Sequence, residues 1–179
     1  MIGRIEVICG PMYSGKTSAL LHRLRYCEEP AIAFKPNLDN RYHDSRLATH
    51  DGETFPGVPI STDAPGISEI FRRAEGVPVV GIDECQFFSP ALTMACESLA
   101  RQGVRVICAG LDLDYRGHSF GPMGDLLSIA DEVTKITANC QRCGKPASRT
   151  YKLGNGSEVI EVGSFDLYEA RCRTCWVKA

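Results

Sequence analysis

The octapeptide G10-P11-M12-Y13-S14-G15-K16-T17 constrains this chain more than any other stretch. It matches G-x-x-x-x-G-K-[ST] at every required position, and its flanks match as well. The β-branched run I5-E6-V7-I8-C9 precedes it. Leu20, Leu21 and Leu24 follow it on one side of a segment reaching about Cys27, as in an amphipathic helix. Strand, glycine-bounded loop and helix in this order make a phosphate cradle. Gly10 and Gly15 let successive N–H groups turn inward, and the helix beginning near Lys16 adds its positive end. Lys16 is placed to reach the β- and γ-phosphates of a nucleotide, and the Thr17 hydroxyl to ligate Mg²⁺.

Three further apolar runs, A31-I32-A33-F34, V77-P78-V79-V80-G81-I82 and V104-R105-V106-I107-C108-A109, are mostly continuous rather than alternating. Strands covered on both faces in a parallel sheet read this way. Helical patterns lie between them. Ile67, Ile70, Phe71 and Ala74 repeat at helical spacing before Gly76. Ser89-Pro90 reads as an N-cap and first-turn proline ahead of Leu92, Ala95, Cys96 and Leu99, with Gly103 as the stop. Residues 122–133 read as one more helix, and residues 39–66 as a region containing a loop. The expected fold is α/β, a P-loop (RecA-like) and mostly parallel sheet flanked by helices.

Asp83 falls at the C-terminal end of the third run, where a Walker-B carboxylate belongs and where ligands collect on an open α/β sheet. Its neighbour Glu84 has two possible tasks. Activating water would make the chain a P-loop ATPase; activating a substrate hydroxyl would make it a kinase. The pair alone leaves both open.

The character of the sequence changes near Asn139, so the chain divides into an expected nucleotide-binding domain, 1–138, and a loop-rich module, 139–179. C140-x-x-C143 and C172-x-x-C175 are two knuckles 28 residues apart. Four thiolates suit tetrahedral Zn²⁺ and leave no coordination position open, so this zinc is expected to be structural. The other cysteines, Cys9, Cys27, Cys85, Cys96 and Cys108, lie mostly in apolar runs and read as small core hydrophobes. An odd count of nine with no secretion signal points to reduced thiols and a cytoplasmic protein. The strand-like start at Arg4 and the lack of a long apolar span argue against a signal peptide or membrane anchor. A net charge of −2 disfavours a zinc-ribbon nucleic-acid binder.

Several motifs in order resemble the zinc-containing thymidine kinases of the cytosolic and bacterial type, over nearly the whole chain. They are G10–T17, K35-P36-x-x-D39-x-R41-Y42, D83-E84-C85-Q86-F87, and G110-L111-D112-x-D114-Y115-R116-G117-x-x-F120-G121. A fifth, V162-G163-S164-F165-D166-L167-Y168 between the cysteine pairs, resembles the family's thymidine-covering lasso. The resemblance implies transfer of the ATP γ-phosphate to the 5′-hydroxyl of thymidine, in nucleotide salvage, with Glu84 as the base. It implies ATP or metal contacts from Gly10, Pro11, Met12, Tyr13, Ser14, Gly15, Lys16, Thr17, Asp39, Asn40, Arg41, Asp83 and Gln86, with Mg²⁺ on Thr17 and Asp83. Thymidine would be surrounded by Met12, Leu111, Tyr115, Phe120, Tyr168 and the main chain of Val159, Ile160, Glu161, Val162 and Gly163. Cys140, Cys143, Cys172 and Cys175 would hold zinc. A homotetramer and feedback inhibition by thymidine triphosphate are also implied; charge and the lack of a long apolar span, as above, argue against a nucleic-acid or membrane partner. Tyr115, Cys85 and Ser164 depart from the family's commoner Phe, Ala or Gly, and Gly.

Overall fold

The computed structural model describes residues 3–38, 46–49, 52–154 and 167–177. Strands β1 (Arg4–Cys9), β2 (Ala31–Pro36), β5 (Val58–Ile60), β6 (Val79–Ile82), β7 (Arg105–Gly110) and β8 (Glu132–Lys135) form one sheet in the order β5-β2-β6-β7-β1-β8. Every pairing in it is parallel. Because consecutive residues of a strand face opposite ways, each strand feeds two cores. Helix α1 (Lys16–Arg25) presses Leu20, Leu21 and Leu24 onto Ile8, Ala33, Val79, Ile107 and Ala109. Helices α2 (Ala64–Ala74), α3 (Ala91–Arg101) and α4 (Met123–Ile129) cover the other face, against Val7, Cys9, Val80, Ile82, Val106 and Cys108. Each fully buried leucine contributes roughly 2 kcal/mol.

All four apolar runs are strands of the sheet, and Cys9, Cys85, Cys96 and Cys108 are buried in the core under α2, α3 and α4. Other expectations need correction. Residues 122–133 are not one helix: α4 ends at Ile129, and the chain then docks along the edge of β1 as β8. Asp131 directs the change, its N–H donating to Ile5 O and its carboxylate accepting from Ile5 N, at 2.9 and 2.8 Å. The Ser89 hydroxyl does not cap α3; it is buried without a hydrogen-bond partner among the described residues. Helix α2 begins ahead of the periodic run, capped by Asp63 and with Pro65 in its first turn. The loop region also holds β5 and a hairpin, β3 (Arg46–Ala48) with β4 (Thr54–Pro56), whose Leu47 joins the α1 core.

A buried carboxylate fixes the start of the sheet. Glu6, in β1, receives Arg105 at 2.6 Å, Arg23 of α1 at 2.5 Å and Arg4 at 2.7 Å. Arg23 also reaches Glu132 and Thr134 of β8. Burial alone would raise the Glu6 carboxyl, but the hydrogen bond and charge of Arg105, with Arg4 and Arg23, hold it below its usual range.

Removing that charge leaves arginines packed around a neutral amide. Glu6→Gln is expected to cost about 3 kcal/mol at pH 7, read as a lower urea midpoint. The folded-state pKa lies below the ordinary value of 4.5. The contribution is therefore present above that pH and lost as pH falls through the folded-state value. The gap between wild type and variant should close over the same range; a gap constant from pH 7 to pH 3 would locate its source elsewhere.

Candidate active site

Parallel pairing brings the ends of β1, β6 and β7 to one edge of the sheet, and the P-loop leaves from β1 there. Gly15, at φ +82°, occupies the left-handed region ahead of α1. The helix has no side-chain cap and no acidic residue in its first turn, so its positive end is open to an anion. The Lys16 ammonium donates to Pro11 O at 2.8 Å, curled over its own loop. Burial pulls the Lys16 amine below its usual range, opposed by Glu84, Asp83 and Asp112. The Ser14 hydroxyl is buried without a partner among the described residues. An orphaned donor, an uncapped helix and a lysine facing carboxylates are what a polyphosphate would satisfy.

At the end of β6, the Thr17 hydroxyl donates to Asp83 Oδ2 at 3.0 Å, and Glu84 N donates to Asp83 Oδ1 at 3.0 Å. Burial first, then the charge of Glu84, push the Asp83 carboxyl up to about 7. Two adjacent carboxylates with one hydroxyl beside them fit a hard divalent cation, which would relieve that repulsion. Glu84 stands in a left-handed conformation, φ 51° and ψ 43°. Gln86 Nε2 donates to its Oε2 at 2.5 Å, while Gln86 Oε1 accepts from Leu111 N at 2.9 Å. Gln86 is buried, and its side chain is engaged with protein groups rather than turned into the P-loop.

The loop after β7 carries Leu111, Tyr115 and Phe120. Asp114 braces it, its carboxylate accepting from the N–H groups of Arg116 and His118. Phe120 meets Phe87 edge-to-face, with ring centroids 5.7 Å apart. Asp112 is buried and pairs with Lys135 at 2.6 Å.

The C-terminal module touches this edge directly. Strands β11 (Arg149–Lys152) and β12 (Tyr168–Arg171) pair antiparallel, with Thr150 opposite Ala170 and Lys152 opposite Tyr168, so these four share a face. On that face Thr150 Oγ1 accepts from Met12 N of the P-loop at 3.1 Å. Trp176, in α5 (Arg173–Val177), donates to Tyr115 O and Thr150 O, both at 3.2 Å. Lys152 Nζ lies 5.4 Å from the Tyr115 ring centre. Tyr115, Tyr151, Lys152, Gly154 and Trp176 line a cavity of about 250 Å³. A larger cavity, about 630 Å³, sits at the opposite edge of the sheet between the ends of α2 and α3, away from all of these groups. Thr150, Lys152 and Trp176 escaped the sequence analysis. Trp176 carried a signal, as the single tryptophan beside a knuckle cysteine. Asp39, Asn40, Arg41 and Val159 to Gly163 lie outside the described residues.

The four knuckle cysteines converge as expected. Their Sγ atoms all lie within 4.8 Å of one another, and Cys143 and Cys172 are 3.7 Å apart. A tetrahedron with Zn–S bonds of about 2.3 Å has edges of about 3.8 Å, so the set fits Zn²⁺. Around it Ala138, Ala147 and Ala170 form a small core of their own, with β9 (Ala138–Asn139) paired to β10 (Pro146–Ala147). So few apolar side chains cannot hold the module alone. The purified protein should contain about one zinc per chain by elemental analysis. Cys143→Ser should lower that content and speed amide exchange across 138–152 and 167–177, while the P-loop strand stays protected. Unchanged exchange in a zinc-depleted protein would show that the metal does not hold the module.

A sequence model of the thymidine kinase family matches residues 3–176. Among curated proteins, the thymidine kinase of Bacteroides thetaiotaomicron is 41% identical over 180 residues, covering 99% of this chain and 88% of its own. That of Porphyromonas gingivalis is 43% identical over 179 residues, covering 98% and 86%. That of Bacteroides fragilis is 42% identical over 180 residues, covering 99% and 88%. With a match along almost its entire length and a P-loop, paired carboxylates and cysteine module in place, the chain belongs to the thymidine kinase family.

Proposed function

We propose that this protein transfers the γ-phosphate of ATP to the 5′-hydroxyl of thymidine, giving dTMP and ADP. One observation carries the reading: a second carboxylate, Glu84, stands beside the Asp83–Thr17 pair on the sheet edge where the C-terminal module meets the P-loop. A hydrolase needs the carboxylates alone. The aromatic loop and the module beside them supply walls for an organic acceptor.

The P-loop N–H groups hold the triphosphate, and Lys16 leaves Pro11 O for its β- and γ-oxygens. Thr17 and Asp83 would hold Mg²⁺, which when bound would supply neutralisation of charge on the phosphates. Glu84 accepts the proton of the 5′-hydroxyl, whose oxygen bonds to the γ-phosphorus. The bond to the bridging oxygen breaks, and its electron pair leaves with ADP. Met12, Leu111, Tyr115, Phe120 and Tyr168, with the main chain of Val159–Gly163, surround the nucleoside; Asp39, Asn40 and Arg41 complete the nucleotide contacts. These roles follow the family resemblance, as do a homotetramer and inhibition by thymidine triphosphate; the division into domains 1–138 and 139–179 rests on the change of sequence character near Asn139. A cytoplasmic location agrees with free cysteines throughout the described chain. No helix among the described residues is long and apolar enough to cross a membrane.

The deciding assay incubates the protein with Mg-ATP and each nucleoside and follows labelled phosphate. Formation of dTMP with thymidine is expected; phosphate release independent of any nucleoside would overturn the kinase reading in favour of an ATPase. Glu84→Gln should lower kcat by about 10²- to 10⁴-fold with ATP binding nearly unchanged, and equal turnover would remove Glu84 from the role of base. Deoxyuridine lacks only the 5-methyl group, so its kcat/KM should fall by about 10- to 200-fold yet stay measurable. Turnover below detection at saturation would mean that recognition does not rest on the methyl slot.

A further inference from the structure

The family resemblance assigns Gln86 to ATP or its metal, yet this side chain spends both ends of its amide on the protein. Oε1 accepts from the main-chain N–H of Leu111 at 2.9 Å. A main-chain N–H can only donate, which fixes the amide's orientation and turns Nε2 toward Glu84. There it donates to Oε2 at 2.5 Å. The side chain is 2% exposed, so neither bond is an incidental surface contact.

The surroundings are built around this link. A Cβ at Gly110 would lie 2.7 Å from Gln86 Oε1, so only glycine lets the end of β7 come this close. At the far end of the same loop, Gly121 packs against the Gln86 carbonyl, and a side chain there would collide with it. Phe87, the next residue, packs on Phe120. The loop is thus anchored at both ends to the three-residue 3-10 turn Cys85–Phe87 that follows Glu84. The charged groups of the neighbouring elements are Lys16, Asp83, and Asp112 with its partner Lys135. On the loop itself they are Asp114, Arg116 and His118, where the Asp114 carboxylate accepts from the N–H groups of the other two. None of them donates a hydrogen bond to the Glu84 carboxylate; Gln86 does.

We propose that Gln86 is a positioning residue that ties the loop Leu111–Gly121 to Glu84 and fixes which carboxylate oxygen takes the acceptor's proton. Its amide occupies Oε2 and leaves Oε1 toward the acceptor. Ordering of the loop by a bound nucleoside is passed through Leu111 N and the amide to the base. The inference rests on the reading of Glu84 as the base.

The test compares wild type, Gln86→Leu and Gln86→Glu in the full chain, with steady-state kinetics for ATP and thymidine from pH 5.5 to 8.5 and thermal melting as a check on folding. Gln86→Leu should lower kcat about 30- to 100-fold, the scale of a misplaced reacting group, and raise KM for thymidine while KM for ATP stays within about threefold. Gln86→Glu keeps the shape and the acceptor for Leu111 N. The carboxyl it introduces repels Glu84 when ionised and donates to it when protonated. Its activity relative to wild type should therefore rise at least fivefold from pH 8 to pH 5.5. A kcat within threefold of wild type for Gln86→Leu overturns the proposal. A higher KM for ATP at constant kcat also overturns it, returning Gln86 to the nucleotide. If Gln86→Leu does not fold, the pH ratio of Gln86→Glu decides, and a flat ratio overturns the proposal. Wild type that forms no dTMP at all refutes the kinase reading instead.

Discussion

Parallel pairing of β1 with β7 and of β7 with β6 is the constraint on which the site depends. Cys9 stands opposite Gly110, and Ile82 opposite Cys108. In a parallel sheet all strands end at one edge, so the P-loop, the Asp83–Glu84 pair and the Leu111 loop begin side by side although 73 and 101 residues separate Gly10 from Asp83 and Leu111 in sequence. The two cores beneath make that edge rigid. Both faces of each central strand are buried, so a slip of one residue would exchange the α1 core for the α2–α3–α4 core. Chemistry assembled from strand ends inherits that precision, while the loops beyond remain free to adapt.

Electrostatics at this edge is arranged to be incomplete. Lys16 faces Glu84, Asp83 and Asp112, and Asp112 already has Lys135. Asp83 and Glu84 share too little positive charge, which is why burial and mutual repulsion raise the Asp83 carboxyl. A site that balanced its own charges would gain little from a magnesium–triphosphate complex. At the other end of β1 the balance is reversed, with three arginines closing on Glu6. One end of the strand is closed by its own residues, and the other presents Lys16 to Asp83 and Glu84.

Much of this was legible in the sequence wherever local chemistry forces a conformation. The glycine pattern of the P-loop, the continuous apolar runs and the doubled knuckles each have few alternatives. Elements whose reason is tertiary were harder to read. Strand β8, E132-V133-T134-K135, has no apolar run, because one side of the sheet edge faces solvent and its partners are the β1 backbone and Arg23. The cap at Asp63 was readable from D63-A64-P65, but the hydrophobic period began only at Ile67 and hid it. Ser89 looks like a cap in sequence, yet its hydroxyl is turned into the protein. Nothing in D83-E84-C85-Q86 says that the amide of Gln86 faces Leu111, since that bond spans 25 residues.

Backbone conformation ties these threads together. Among the described residues only Tyr13 and Glu84 hold positive φ without being glycine, at 63° and 51°. One lies in the phosphate loop and the other carries the proposed base. Such a conformation costs on the order of 1–3 kcal/mol and persists only where its surroundings over-determine it. Around Glu84 they do. Asp83 Oδ1 takes its N–H, Phe87 N donates to its carbonyl, and Gln86 holds its carboxylate. Relaxing Glu84 to a right-handed conformation would break these bonds together and swing the carboxylate off the edge it shares with Thr17 and Lys16. The strain is therefore the local cost of turning two adjacent carboxylates different ways, Asp83 back on the P-loop helix and Glu84 toward Gln86 and the Leu111 loop.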